Sequence, residues 1–189
     1  MNNDNSHRLV AKVNQVTKLF DTFGLEVPKE TYERYAKLLD GINTQRENYD
    51  EIIQGIFPER SLGIVVEKDI PIFSYCEHHI LPWFGQVHIG YVTQGRVLGI
   101  SKFTRVVNFY SSGLTIQERV TNDIAEFFLK NRWSSVMVMV EAIHTCKVAR
   151  GVQNPFSRSI TIEARGVFKT DTGPRLEFFD SINTAKRST

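Results

Sequence analysis

Cysteine is almost missing from this chain of 189 residues: there are two. Two cysteines cannot build the disulfide framework of a small secreted domain, and they point to metal binding or catalysis before a structural bridge. No apolar run approaches the roughly 20 residues that span a bilayer, so no membrane partner is expected. Charge of one sign is also lacking. Lys and Arg number 23 and Asp and Glu 21, a formal net charge of +2, which argues against a bulk polyanion such as nucleic acid. Local basic clusters can still hold a small anion. The first residues, Met1 to Asn5, are polar and carry no signal-peptide core, so the cytoplasm is the expected location. There is no internal repeat, low-complexity stretch or evident linker. What is present, 41% hydrophobic and 23% charged residues, suits one globular domain, alone or with an additional terminal segment.

Apolar residues recur at helical spacing from His7 to Phe23, and the pattern ends near Gly24. Pro28 suits the first turn of a second helix, with Tyr32, Tyr35, Leu38 and Leu39 on one stripe and a stop near Gly41. A short third helix is expected from Tyr49 to Phe57. The texture then changes. Gly63 to Phe73 reads as a strand, and Gln86–Val92 and Arg96–Gly99 read as a hairpin around Thr93-Gln94-Gly95. Ser101 is the expected N-cap of a helix to Tyr110. Thr115-Ile116-Gln117-Glu118 has the form of a capping box opening a helix to about Asn131. Ser135–His144 is nearly unbroken in apolar residues, as in a strand covered on both faces. Ser157–Phe168 alternates as a last strand, Pro174–Ile182 suggests a closing helix, and the tail from Asn183 is expected to fray. The fold class is α+β: a helical segment over 1–60, then a largely antiparallel sheet with an inserted helical pair over 61–189.

The residues able to carry chemistry gather at the ends of these strands. Cys76 and His79 stand three apart, within reach of one ion, and Cys146 is the natural third ligand. Zinc takes such N/S donors tetrahedrally, and a catalytic site keeps one position open. The same residues also fit a plainer reading, two small buried cysteines beside polar loop histidines. His78 and His144 remain as proton donors or acceptors near neutral pH. Glu77, between the ligands, is placed to support them. Ser101, Lys102 and Arg105 lie in the first turns of a helix, where free N–H groups attract anions, and Arg150 follows Cys146 closely. Arg34 and Lys37 share a helix face. Singly, each is an ordinary surface charge; together they are enough for a triphosphate. His88 reads as a strand residue.

Taken in order, Cys76-Glu-His-His-Ile-Leu-Pro-Trp-Phe-Gly-Gln-Val-His-Ile-Gly-Tyr91, Leu98-Gly-Ile-Ser-Lys-Phe-Thr-Arg105, Gln117-Glu-Arg119, His144-Thr-Cys146 and Ala149-Arg-Gly-Val152 closely resemble GTP cyclohydrolase I. The match runs from about Ile64 to Phe168; the amino-terminal third joins it only through Arg34-Tyr-Ala-Lys37. Two stretches depart from the family pattern: Thr31-Tyr32 replaces Thr-Pro, and Gln153–Ile162 replaces a Ser/Thr-rich strand.

The resemblance implies the tunnelling fold, in which antiparallel sheets of several subunits close into a barrel. It implies a decamer of two face-to-face pentamers with active sites between subunits. It implies conversion of GTP and water to 7,8-dihydroneopterin triphosphate and formate, with zinc as cofactor and GTP as ligand. Carried over residue by residue, it makes Cys76, His79 and Cys146 the zinc ligands and His78 and His144 the catalytic histidines. Ser101 becomes a proton relay. Glu118, with Gln117 beside it, recognises the guanine edge. Ser101, Lys102, Arg105 and Arg150 face the triphosphate, and Arg34 and Lys37 reach it from a neighbouring subunit. Two other readings compete: a relative that opens GTP to a different product with another metal, and an idle homologue kept for binding or assembly. The intact Cys76, His78, His79, His144 and Cys146 argue against the idle homologue.

Overall fold

The computed structural model describes residues 3–42, 44, 47–60, 63–151 and 153–183. The tail beyond Asn183, expected to fray, and Val152 of the Ala149–Val152 motif lie outside them. The chain divides into two compact units, Met1–Thr44 and Gln45–Thr189.

The first unit is a pair of helices, α1 (Asn3–Thr22) and α2 (Lys29–Ile42). Gly24 ends α1 in the left-handed conformation, φ 64°, and Leu25 N–H turns back to the carbonyl of Phe20 at 2.9 Å. Val16 and Phe20 of α1 pack on Ala36 of α2, with Tyr32 partly buried beside them. The apolar stripe expected on α2 is only half used inside this unit. Tyr32 and Tyr35 set their rings edge-on against Phe20 at 5.6 and 5.2 Å, whereas Leu38 and Leu39 stay exposed. Tyr32, where the family pattern has proline, is thus a packing residue of the helical pair.

The second unit is built on a five-stranded sheet of order β5-β2-β3-β6-β7. Its strands are β2 (Ile64–Cys76), β3 (Pro82–Val92), β5 (Leu114–Thr115), β6 (Val136–His144) and β7 (Ser159–Arg165). All pairings are antiparallel except the short parallel contact of β2 with β5. The helices are α3 (Tyr49–Ile53), α4 (Ile100–Ser111), α5 (Gln117–Lys130), α6 (Thr145–Val148), α7 (Val167–Thr170) and α8 (Thr172–Asn183). Two further strands, β1 (Ile56–Pro58) and β4 (Arg96–Leu98), pair with each other. β6 is covered on both faces, as its unbroken apolar run requires. Val136, Val138, Val140 and Ala142 join the main core with Phe103, Val106 and Val107 of α4 and Ile124, Phe127 and Phe128 of α5. Met137 and Met139 point the other way, to Phe168 and Phe178. No helix among the described residues is long and apolar enough to cross a membrane.

Several local expectations are corrected; the last strand, for one, ends at Arg165, and Phe168 lies in α7. Arg96–Leu98 does not form a hairpin with β3 but pairs with β1, so Phe57 belongs to a strand rather than to the third helix. The turn itself exists: Gln94 and Gly95 have φ of 47° and 81°, and Arg96 N–H reaches Thr93 O at 3.0 Å. Ser101 is not the N-cap of α4; Gly99 is, and Ser101 lies exposed in the first turn. Thr115 makes no capping box, because its hydroxyl is 2.7 Å from that of Ser74, and Ile116 takes the N-cap position of α5.

Gly85 of β3 marks the tightest approach in the sheet. A Cβ there would lie 1.9 Å from the carbonyl oxygen of Glu141 and 2.7 Å from Cα of Ala142, both backbone atoms of β6. Gly85→Ala is therefore expected to lower stability by roughly 3 kcal/mol through forced separation of the two strands. A urea denaturation midpoint equal to that of the parent would contradict this.

Candidate active site

The carboxyl ends of β2 and β6 and the amino end of β3 meet at one end of the sheet, since β3 is antiparallel to both. Cys76 is the last residue of β2, and the chain returns into β3 through a closed turn. Cys76 N–H donates to Leu81 O at 2.9 Å, and Ile80 N–H donates to Cys76 O at 2.8 Å. Closing this turn places Ile80, a β-branched residue, at φ 54°, a conformation that only over-determined surroundings maintain. His78 and His79 are exposed on this turn. Across the sheet, Trp83 is the register partner of His144. Thr145 Oγ1 donates to Pro82 O at 2.6 Å, tying the single turn α6, with Cys146, to the start of β3.

Cys76, His79 and Cys146 come together: their donor atoms all lie within 4.8 Å of one another. Cys76 Sγ is 3.8 Å from His79 Nδ1. An ion bound tetrahedrally at about 2.3 Å from sulfur and 2.0–2.1 Å from nitrogen would hold them roughly 3.6 Å apart. The group therefore fits a metal in both donor chemistry and spacing. His78 Nδ1 is also near, 3.9 Å from the same sulfur, yet it falls outside the three-residue cluster. Burial, and then the neighbouring Cys76 sulfur, push the Cys146 thiol up from its ordinary value.

A pocket of about 300 Å³ opens over the cluster, lined by Cys76, His78, His79, Cys146, His144 and the first turn of α5, Gln117 and Glu118, with Thr115, Ile116, Lys147 and Ser159 completing its wall. Glu118 is exposed and Gln117 buried. The His144 ring lies flat on Trp83, 5.4 Å between centroids and 11° between planes. Burial pushes His144 below the usual imidazole value, and the Glu118 carboxylate pulls the other way. Arg119 binds the Glu77 carboxylate with both terminal nitrogens, at 2.8 and 3.2 Å, and this holds Glu77 below the usual carboxylate range.

The basic residues behave differently. Lys102 Nζ donates to Glu51 O at 2.8 Å, and Arg105 faces the carboxylates of Glu51 and Glu47 at 3.4 and 3.8 Å. Neither they, nor Ser101, nor Arg150 line the pocket of their own chain. Arg150 is exposed but near enough to Cys146 to draw its thiol down slightly. Arg34 and Lys37, in the first unit, are exposed, with Lys37 paired to Glu33. His88 is buried in β3 and accepts from the Asp69 N–H at 3.2 Å. Sequence reasoning missed Trp83 and Ser159. The Trp was inside a quoted motif, but only the β3–β6 register shows that it meets His144.

The profile of the family described as GTP cyclohydrolase I matches residues 13–183. This chain belongs to that family. Among curated GTP cyclohydrolase I relatives, "GTP cyclohydrolase 1 2" of a Nostoc species is 41% identical over 162 residues, 84% of this chain and 73% of the relative. GTP cyclohydrolase 1 of Brevibacillus brevis is 39% identical over 155 residues, 81% of each chain. That of Bacillus subtilis is 39% identical over 160 residues, 84% of this chain and 83% of its own.

Proposed function

We propose that the chain is a GTP cyclohydrolase I that converts GTP and water to 7,8-dihydroneopterin triphosphate and formate. The observation that carries this reading is the pocket itself, where a Cys-His-Cys cluster, two further histidines and an exposed carboxylate share one wall.

We assign Cys76, His79 and Cys146 to a zinc ion. When bound, zinc there supplies a Lewis acid that makes water a usable nucleophile at neutral pH. The chain's own groups do the rest. Glu118 accepts hydrogen bonds from guanine N1–H and the 2-amino group, a donor pair that adenine does not offer. This sets the purine with its imidazole ring toward the histidines. His78 and His144 move protons to and from the ring nitrogens as that ring opens and formate leaves. Ser101 relays a proton in the later ribose rearrangement and closure. Lys102, Arg105 and Arg150 hold the triphosphate. That Ser101, Lys102 and Arg105 stand outside their own chain's pocket supports a site completed by assembly. Closure of the sheets of several subunits into a barrel, in a decamer of two pentamers, is the arrangement we favour, with Arg34 and Lys37 reaching a neighbour's triphosphate.

Incubation with GTP and zinc tests the reaction. The expected result is a dihydropterin, detected by absorbance and by fluorescence after oxidation, with one formate per GTP. Consumption of GTP without formate and dihydropterin, or no consumption, would overturn it.

Assembly has its own test. Arg34→Ala and His79→Ala are each expected to be nearly inactive alone. Mixed and reassembled, they should regain part of the activity, since a head-to-tail ring draws different residues from the two sides of each interface. Mixed rings that stay inactive would confine Arg34 to its own subunit or to no role.

A further inference from the structure

The first residue of α5 belongs to a hydrogen-bond chain whose proton order is fixed by chemistry. Gln117 is 1% exposed. Its Nε2 is 3.1 Å from the backbone oxygens of Val140 and Ser159 and from Thr161 Oγ1. Two of these are carbonyls, which only accept, so the amide nitrogen must face them; the reverse orientation would set Oε1 against two oxygens. Thr121 Oγ1 donates to Gln117 O at 2.8 Å and lies 2.6 Å from Thr161 Oγ1. With the Thr121 proton engaged, the Thr161 hydroxyl donates to Thr121 and keeps a lone pair for Gln117. Every donor in the chain then has an acceptor, and Gln117 Oε1 is left facing His144 Nε2 at 2.7 Å. An amide oxygen cannot donate, so His144 Nε2 carries the hydrogen.

We propose that Gln117 is a positioning residue that holds the His144 ring in one orientation and one tautomer, with Nε2–H toward Gln117 and Nδ1 left as the nitrogen open to a substrate. The Trp83 indole fixes the plane of the ring, which leaves two orientations related by a half-turn. Only one of them presents an N–H to Gln117. Gln117 is thereby removed from base recognition, its polar atoms being engaged within the chain, and Glu118 is left as the group that reads guanine. The proposal rests on the reading of His144 as a proton-transfer residue.

The test is a long-range 1H–15N spectrum of histidine-labelled, zinc-loaded protein under alkaline conditions, with the His144 signals identified by their loss in His144→Asn. The expected result is a protonated-type shift at Nε2 and a lone-pair-type shift at Nδ1. The opposite pattern, or an even mixture, overturns the proposal without any change to Gln117. In Gln117→Met the fixed pattern should give way to a mixture, and kcat should fall roughly a hundredfold, the scale of a misplaced general acid–base group. KM for GTP should hold within about twofold, because no substrate contact is lost. A Gln117→Met enzyme with parental kcat, or with its loss confined to KM, overturns the positioning role. The fixed tautomer together with an active His144→Asn would instead refute the role of His144 in the reaction.

Discussion

Replacing Cys146 by serine is expected to remove the metal and the activity together. The serine keeps the volume of the side chain and the turn of α6, so the fold should survive. What goes is the one sulfur of the three-residue cluster that lies after β6 rather than on the β2–β3 turn. Cys76 and His79, from a single turn, form a two-donor site that holds zinc weakly. Metal content should fall from near one per subunit to near zero, and turnover by well over a hundredfold, beyond the usual effect of disturbing a residue that merely supports a ligand. A variant that retains one metal per subunit would remove Cys146 from the ligand set. Because metal is counted directly, this outcome stands apart from any question about the product.

Glu118→Gln should leave the metal in place and still damage the enzyme. The carboxylate and the amide are close in size, and Glu118 is not in the three-residue cluster. Guanine, however, presents two donors, and the amide answers with one acceptor and one donor. A donor facing a donor in a closed site costs about 3 kcal/mol, or roughly a hundredfold in kcat/KM. The loss should be specific to the base, so affinity for inorganic triphosphate should be unchanged. Parental kinetics with GTP would take Glu118 out of the base pocket.

How much of this was legible beforehand varies from residue to residue. The meeting of Cys76, His79 and Cys146 was legible because Cys76 and Cys146 fall at the ends of strands with strong patterns, and antiparallel neighbours in one sheet bring such ends together. The third helix was overread. Tyr49, Ile52, Ile53, Ile56 and Phe57 recur at helical spacing, yet Ile56–Pro58 is a strand because it pairs with Arg96–Leu98. That partner is far along the chain, and no local signal announces it. The capping box failed for a similar reason: Ser74, a distant residue, takes the Thr115 hydroxyl. Gln117 is the opposite case. Val120, Thr121, Ile124 and Phe128 are buried with it at spacings that define one helix face, so its inward orientation could have been read from the pattern. Its neighbour Glu118, one position on, is turned outward by the same geometry.

The short parallel contact of β2 with β5 has a dynamic consequence. Cys76 pairs with Thr115, and Glu77 N–H donates to Thr115 O at 3.1 Å. The end of β2, with Cys76 of the three-residue cluster, is thus hydrogen-bonded to the two residues that lead into the first turn of α5. The Glu77–Arg119 pair spans the same junction but, being exposed and open to screening by salt, adds little. Local opening of either turn breaks backbone bonds that the two share, so their openings are coupled. In amide exchange they would form one cooperative unit, slowed as a whole by whatever binds to either half. An ion held at Cys76 would quieten the Gln117–Glu118 end of α5 without touching it, and a ligand bound at that end would steady the Cys76–His79 turn in return.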